Sequence, residues 1–109
     1  LPVPHMGWNS VRIDRAVPLL EGIPDGSYFY FVHSYAVDPG PAVVATSDYG
    51  RRFAAVVAHG NFLATQFHPE RSGEHGARMT AMDSATRIQR YVITELGDAV
   101  GVRLDLVIL

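Results

Sequence analysis

The sequence predicts an α/β fold in which largely antiparallel strands, within residues 27–68, are packed by a helix near residues 74–96. Three observations support this. Aromatic and β-branched residues are dense between residues 27 and 67, turn-forming residues interrupt them at short intervals, and apolar residues recur every three or four positions from residue 77 onward. With 109 residues, 48% of them hydrophobic, the chain can form one domain with an ordinary core.

Loop-forming residues dominate the first 26 positions. We expect an ordered loop here, with one helical turn near Leu19, where a short apolar patch occurs. The residues that indicate a loop are Pro2, Pro4, Gly7, Asn9, Pro18, Gly22, Pro24 and Gly26.

Four strands are expected after this loop. The segment SYFYFVHSYAV carries the strongest signal, because aromatic and β-branched side chains favour the pleated conformation. The predicted strands span residues 27–37, 42–47, 53–58 and 62–67, with turns at 38–41, 48–50 and 59–61. The last of these turns contains Gly60 and Asn61, which adopt the positive φ of a tight hairpin at little cost.

The periodicity then changes to that of a helix with one apolar face. Gly97 is a natural end for this helix. The helix is either one piece or restarts at Asp83 and Ser84, and the pattern leaves both alternatives open. Residues 102–109, VRLDLVIL, are a candidate strand. The apolar positions of the helix are Ala77, Ala81, Met82, Ala85, Ile88, Val92 and Leu96.

Composition narrows the functional classes. The net charge of −2 provides no basic surface, so neither nucleic acid nor an anionic membrane is an expected partner. Neither a membrane-spanning segment nor a signal peptide is apparent, and we expect a cytoplasmic protein. The chain has no cysteine, which excludes disulfides, zinc–thiolate sites and a thiol nucleophile within it.

The stretch ATQFHPERSG places His68 and Glu70 two positions apart at the end of a predicted strand. If the strand extends to residue 70, both side chains project from the same face. The carboxylate could then orient the imidazole and stabilise its protonated form, which is the base-and-orienter half of a nucleophilic triad. Pro69 would stiffen the connection. The alternative is an ordinary surface loop.

The histidines of the chain do not predict a metal site. His5, His33, His59, His68 and His75 show neither the helical spacing nor the HxH grouping that zinc sites usually display. We therefore expect neither a metal nor another cofactor.

Three motifs occur in order: PHMGWNSV at residues 4–11, YFVHSYA at 30–36 and ATQFHPERSG at 64–73. Together they resemble the class I, triad-type glutamine amidotransferases, and most closely the glutaminase subunits of imidazole glycerol phosphate synthases in histidine biosynthesis. The resemblance covers residues 1–79 and implies the C-terminal half of a flavodoxin-like domain. Residues 80–109 form an atypical helix–strand tail, whose strand could pair with an exposed sheet edge.

The resemblance implies roles for individual residues. His68 would be the general base and acid, Glu70 its orienter, and the backbone of His33, Ser34 and Tyr35 would help to bind L-glutamine. Arg71 replaces the usual lysine, which alters the geometry of its contact. The residues expected to face the partner, the (β/α)8-barrel cyclase subunit, are Met6, Trp8, Asn9, Tyr30 and Arg71. Without the resemblance, His33 could equally be a core histidine and Trp8 a local core anchor.

The missing nucleophile determines what the chain alone is expected to do. The family's cysteine, its Gly-rich elbow and its oxyanion hole would precede Leu1, so we expect the chain to begin partway through a domain and to be inactive by itself. One hypothesis is a C-terminal piece of a glutaminase that delivers ammonia to the synthase. The alternative is a non-catalytic module that docks on the barrel; three motifs in order argue against an unrelated protein.

Overall fold

The computed structural model describes residues 3–59, 62–86, 89–92 and 106–108. Its strands are β1 (His5–Ser10), β2 (Arg12–Ile13), β3 (Tyr28–His33), β4 (Tyr35–Val37), β5 (Val43–Asp48), β6 (Arg52–His59), β7 (Phe62–Thr65), β8 (Gln89–Val92) and β9 (Leu106–Ile108). Helix α1 spans Gly73–Thr86, and 3-10 turns occupy Pro18–Leu20 and Pro69–Arg71. No helix in the described ranges is long and apolar enough to cross a membrane.

The main sheet has five strands in the order β2-β5-β6-β7-β8. All neighbours in it are antiparallel except β7 and β8, which are parallel. Helix α1 packs beside this sheet and contributes Met79, which is fully buried together with Val44 and Phe53. The predicted α/β fold with largely antiparallel strands is therefore confirmed.

Strands β1 and β3 form a separate antiparallel pair, in which His5 lies opposite His33 and Trp8 opposite Tyr30. Alternation along β3 buries Phe29 and leaves Tyr28 59% exposed. One face of this pair therefore packs on the core, whereas the other presents aromatic side chains outward.

The prediction of a loop throughout residues 1–26 is wrong for β1 and β2. β1 carries Gly7 at φ 128° and no run of β-branched residues, so its propensity for a strand is weak. Its conformation comes instead from pairing along the whole length of β3. The helical turn expected near Leu19 is present, as the 3-10 turn Pro18–Leu20.

The predicted strand 27–37 is divided at Ser34, which joins β3 to β4. The other predicted strands are present, but β7 ends at Thr65, before the predicted end at residue 67. Gly60 and Asn61, the predicted hairpin turn, lie outside the described residues, although the strands that flank them pair as a hairpin would.

The helix predicted to reach residue 96 is wrong at residues 89–92; the described helix, α1, spans Gly73–Thr86. It runs through Asp83 and Ser84 without a break, and residues 89–92 then form β8 along β7. Val92 fills an apolar position of the predicted helix, but Tyr91 and Val92 also favour strands, and pairing with β7 decides between the two. Gly97, the predicted helix end, lies outside the described residues.

Of the predicted C-terminal strand, residues 106–108 are described as β9, antiparallel to β4. Tyr35 lies opposite Ile108 in this pair. The tail strand thus pairs with β4, and the two strands form a sheet of their own and do not extend one of the other sheets.

Candidate active site

A 3-10 turn brings His68 and Glu70 together. The Nδ1 atom of His68 lies 3.0 Å from Oε1 of Glu70. Because β7 ends at Thr65 and residues 69–71 form the turn, the alternation of a strand extended to residue 70 is not what aligns them. The predicted pairing is present, but the predicted reason for it is wrong.

This pair is open to solvent. The side chain of His68 is 38% exposed and that of Glu70 is 60% exposed. A carboxylate can only accept a hydrogen bond, so Nδ1 of a neutral His68 carries the proton and Nε2 keeps a free lone pair. That tautomer is the one needed to take a proton from a group in front of Nε2.

Ser72 fixes the turn to strand β3. Its hydroxyl donates to the carbonyl oxygen of His68 at 2.6 Å and accepts the backbone N–H of Tyr30 at 2.9 Å. The backbone N–H of His68 also donates to the carbonyl oxygen of Tyr30 at 2.8 Å. Ser72 is 2% exposed. Sequence reasoning missed this residue; its signal would have been a small hydroxyl directly after the HPER run.

Gly76 lets helix α1 lie directly against the same turn. A Cβ atom at this position would collide with the backbone carbonyl of Pro69. Pro69 is itself buried. The turn that carries His68 is therefore held from both sides, by β3 through Ser72 and by α1 through Gly76.

His33, Ser34 and Tyr35 occupy the junction of β3 and β4. His33 is 9% exposed, Ser34 is half-buried and the side chain of Tyr35 is 52% exposed. Nδ1 of His33 donates to the carbonyl oxygen of Tyr35 at 2.9 Å. The imidazole of His33 therefore has the character of a buried, hydrogen-bonded core histidine, which was one of the two readings left open by the sequence.

The pKa of His33 is lowered, and His68 is one of the causes. Burial lowers the pKa of His33; its hydrogen bond to the Tyr35 carbonyl opposes this, and positive charge on His68 lowers the pKa further. The predicted base is thus close enough to the predicted glutamine segment to lower the pKa of His33.

His5 is a second buried imidazole at this junction. It is 2% exposed, and its Nδ1 lies 2.9 Å from Nε2 of His33. Its ring stacks on Tyr49 at a centroid distance of 4.0 Å and on Phe31 at 5.0 Å. Burial, followed by the neighbouring His33, lowers the pKa of His5 to about 4. Sequence reasoning weighed His5 only as a metal ligand, because its partnership depends on the register of β1 and β3.

The outward side of the β1–β3 pair forms an aromatic face, defined here by Met6, Trp8, Tyr28 and Tyr30. Met6 is 63% exposed and Trp8 is 55% exposed. The rings of Trp8 and Tyr30 meet edge to face at 5.9 Å. The indole of Trp8 also lies 4.0 Å from where a Cβ on Gly73 would stand, so this face borders the His68 turn.

The other two residues predicted to face a partner are placed differently. Arg71 is exposed on the His68 turn. The side chain of Asn9 is engaged within the chain: its Nδ2 donates to the carbonyl oxygen of Asp48 at 2.8 Å, and its Oδ1 accepts the backbone N–H of Ser10 at 2.8 Å. The structure therefore groups Met6, Trp8 and Tyr30 on one face but turns the amide of Asn9 inward.

No group of three or more His, Asp or Glu side chains that could hold a metal ion occurs among the residues the structure describes. What the site offers is proton transfer through His68, next to a segment with buried imidazoles. It lacks a thiol nucleophile of its own, because the sequence has no cysteine.

Comparison with known proteins identifies the family. The family model described as glutamine amidotransferase class-I matches residues 2–85. The chain belongs to this family. Among curated proteins it is similar to the imidazole glycerol phosphate synthase subunits HisH of Mannheimia succiniciproducens, with 57% identity over 79 residues, and of Pasteurella multocida, with 60% over 77 residues.

The matches cover only part of these relatives. The alignment to the Mannheimia protein includes 72% of this chain and 41% of the relative, and a HisH subunit of Haemophilus influenzae, 56% identical, is matched over 71% of this chain and 39% of its own length. The chain thus spans about two fifths of the length of the curated relatives it matches. The amidotransferase match ends at residue 85, before β8 and β9.

Proposed function

We propose that this chain is the C-terminal part of a glutamine amidotransferase subunit that hydrolyses glutamine and delivers ammonia to imidazole glycerol phosphate synthase, in the cytoplasm. The observation that carries the proposal is the His68–Glu70 pair at 3.0 Å, exposed on a turn held by Ser72 and Gly76. The names and the identity of the relatives favour the same activity.

In the proposed reaction, Nε2 of His68 accepts the proton of a cysteine thiol supplied by the other half of the domain. The thiolate attacks the carbon of the glutamine side-chain amide and forms a thioester. His68 returns its proton to the departing ammonia, then activates the water that releases glutamate. Glu70 holds the imidazole by Nδ1 and stabilises its protonated form in each half-reaction.

A buried acceptor near this turn supports the need for a further segment. Gln66 is 6% exposed, and its Oε1 has no hydrogen-bond partner among the described residues. Leaving such an atom unsatisfied costs about 1–3 kcal/mol. A donor from the half of the domain that carries the cysteine would remove this cost.

The division between β3 and β4 suits the binding of glutamine by backbone groups. Ser34 belongs to neither strand ladder, because β3 ends at His33 and β4 begins at Tyr35. Its peptide groups are thus not committed to either pairing. We assign His33, Ser34 and Tyr35 to the glutamine pocket on this basis, with backbone rather than imidazole contacts.

The aromatic face suits a protein partner, which we propose is the (β/α)8-barrel cyclase subunit. Trp8 and Met6 are large and exposed, as the anchors of protein interfaces often are. Arg71, exposed beside this face, would supply the cation for an ion pair with the barrel. Asn9 would contribute only through its backbone, since its amide is engaged with Asp48 and Ser10.

A second candidate function is a non-catalytic docking module for the same barrel. It is favoured by the absence of cysteine and by the exposed aromatic face. Both candidates predict binding to the cyclase, so binding alone does not separate them.

A chimera separates the two candidates. Residues 1–79 of this chain replace the matching segment of the Mannheimia HisH subunit, whose own N-terminal half is kept, and glutamate release is measured with the cyclase subunit present. We expect glutaminase activity that His68→Asn lowers by about 10²–10⁴-fold. His75→Asn, a histidine substitution on α1, is the matched control and should leave the rate unchanged. An active chimera indifferent to His68→Asn contradicts the catalytic role, whereas an inactive chimera that still binds the cyclase favours the docking module.

A further inference from the structure

Four groups near the predicted glutamine segment form a continuous chain of hydrogen bonds. Nδ2 of Asn9 lies 3.3 Å from Nε2 of His5, Nδ1 of His5 lies 2.9 Å from Nε2 of His33, and Nδ1 of His33 lies 2.9 Å from the carbonyl oxygen of Tyr35. The chain links β1 to the junction of β3 and β4. Both imidazoles in it are buried.

The direction of the chain follows from its last acceptor. The carbonyl of Tyr35 can only accept, so Nδ1 of His33 must carry a proton. If His33 is neutral, its Nε2 is an acceptor, and the partner that donates to it must be Nδ1 of His5. Nε2 of a neutral His5 is then an acceptor as well, facing the amide nitrogen of Asn9.

The first donor is fixed independently. The amide nitrogen of Asn9 donates to the carbonyl oxygen of Asp48, and its amide oxygen accepts the backbone N–H of Ser10. If the amide were rotated by half a turn, its oxygen would face the carbonyl oxygen of Asp48 and its nitrogen would face the backbone N–H of Ser10. The amide nitrogen of Asn9 is therefore the atom that faces His5, in agreement with the direction derived from the other end.

An extra proton cannot enter this chain without breaking it. A proton on Nε2 of His5 would face the amide hydrogens of Asn9. A proton on Nε2 of His33 would make Nδ1 of His5 the acceptor, so that a neutral His5 would carry its proton on Nε2 and again face the amide hydrogens of Asn9. The groups packed around the pair do not offset this charge: Tyr49, Phe31 and Phe53 contact His5 by their rings, and His68 is a cation when protonated. Burial lowers the pKa of both imidazoles, in the same sense.

We propose that His5 is a positioning residue, which with Asn9 holds His33 in the Nδ1–H tautomer so that His33 pins the carbonyl of Tyr35 across Ser34. The role of His5 in shaping the glutamine segment rests on the proposed function, whereas the assignment of the tautomers rests on the hydrogen bonds alone. Without the donor from His5, Nε2 of His33 loses its partner and the imidazole can rotate away from Tyr35. The backbone around Ser34 then loses the bond that closes its turn.

The tautomers are tested by nitrogen-15 NMR on the 109-residue chain at pH 7. We expect both His5 and His33 to be neutral and protonated on Nδ1, the tautomer that is less common for free histidine, with a scalar coupling across the Nδ1–H···Nε2 bond between them. An Nε2–H tautomer at either residue, or a protonated ring, overturns the proposal. This result does not depend on any enzymatic activity.

The positioning role is tested in the chimera described above. His5→Phe keeps a ring between Tyr49 and Phe31 but removes the donor, whereas His5→Asn retains a donor where Nδ1 stood. We expect His5→Phe to raise the KM for glutamine about 10-fold with kcat changed less than about 2-fold, and His5→Asn to restore most of the loss. Equal KM values in all three proteins overturn the positioning role. An inactive chimera would instead count against the proposed function, and the NMR result would stand by itself.

Discussion

His68 and Glu70 share a hydrogen bond of 3.0 Å on a 3-10 turn, and the hydroxyl of Ser72 ties this turn to the backbone of Tyr30. The carboxylate of Glu70 is 60% exposed, so its contribution to the folded state by itself is small. The role that we propose for Glu70 is to fix the tautomer of His68, and substitutions can separate that role from any effect on the free energy of unfolding.

Glu70→Gln should lower the glutaminase activity of the chimera and leave its stability almost unchanged. The amide oxygen can still accept from Nδ1 of His68, but the negative charge that stabilises the protonated imidazole is gone. We expect a loss of about 10–100-fold in kcat. Glutamate release is measured at saturating glutamine. Glu74→Gln, a carboxylate in the first turn of α1, is the matched control; an equal loss in both variants would show that the effect is not specific to the pair.

Ser72→Ala should lower the free energy of unfolding of the 109-residue chain by about 1–3 kcal/mol, because the N–H of Tyr30 loses its acceptor and the carbonyl of His68 loses a donor. Urea denaturation followed by circular dichroism gives the free energy. Thr80→Ala is the control, since Thr80 is exposed and its hydroxyl only donates back to the carbonyl of Gly76 in its own helix. A Ser72→Ala chain as stable as Thr80→Ala would contradict the anchoring role of Ser72.

Stability should fall as the pH drops below the pKa of an unfolded histidine. The folded-state pKa of His5, about 4, lies below the 6.5 of an ordinary histidine, so the unfolded chain takes up the proton first. The contribution of His5 is therefore fully present above pH 6.5 and is lost as the pH falls toward about 4. His33, whose pKa is also lowered, adds in the same direction.

The measurement compares the unfolding free energies of the original chain and His5→Phe between pH 7 and pH 5. We expect the original chain to lose about 2 kcal/mol more than the variant over this range, by the linkage of one buried imidazole. The acidic residues are common to both proteins, so the comparison isolates the contribution of His5. Parallel pH profiles would show that His5 is not held neutral by the fold.

Trp8→Ala should weaken binding to the cyclase subunit at least about 30-fold, as expected for loss of a central aromatic anchor. Trp8 is 55% exposed, so its removal should cost the isolated chain little stability. Calorimetric titration gives the dissociation constant. Val3→Ala is the matched control: Val3 is an exposed apolar residue outside the aromatic face. Equal affinities would remove Trp8 from the proposed interface.

Sequence reasoning predicted the parts of this molecule that depend on local pattern. Strands β5, β6 and β7 of the main sheet followed from their composition, and the pairing of His68 with Glu70 followed from their spacing. The reason given for that pairing was wrong, because Pro69 begins a 3-10 turn where a continued strand was expected. The two side chains still meet, because His68 and Glu70 are only two positions apart in the sequence.

The parts that could not be predicted depend on contacts between distant segments. The partnership of His5 with His33 exists only in the register of β1 with β3, and β1 carries little strand propensity of its own. The buried role of Ser72 depends on Tyr30, which lies far from it in the chain. At β8, Val92 fits the spacing of the predicted helix and also favours a strand, and pairing with β7 decides between them. In each case the deciding partner is remote in sequence.

The pairing of β9 with β4 has a consequence for how this protein can diverge. Ile108 lies opposite Tyr35, although it falls outside the stretch that matches the amidotransferase family. Substitutions at residues 106–108 would therefore be felt where glutamine is proposed to bind. These three positions should accept fewer changes than a peripheral extension normally does.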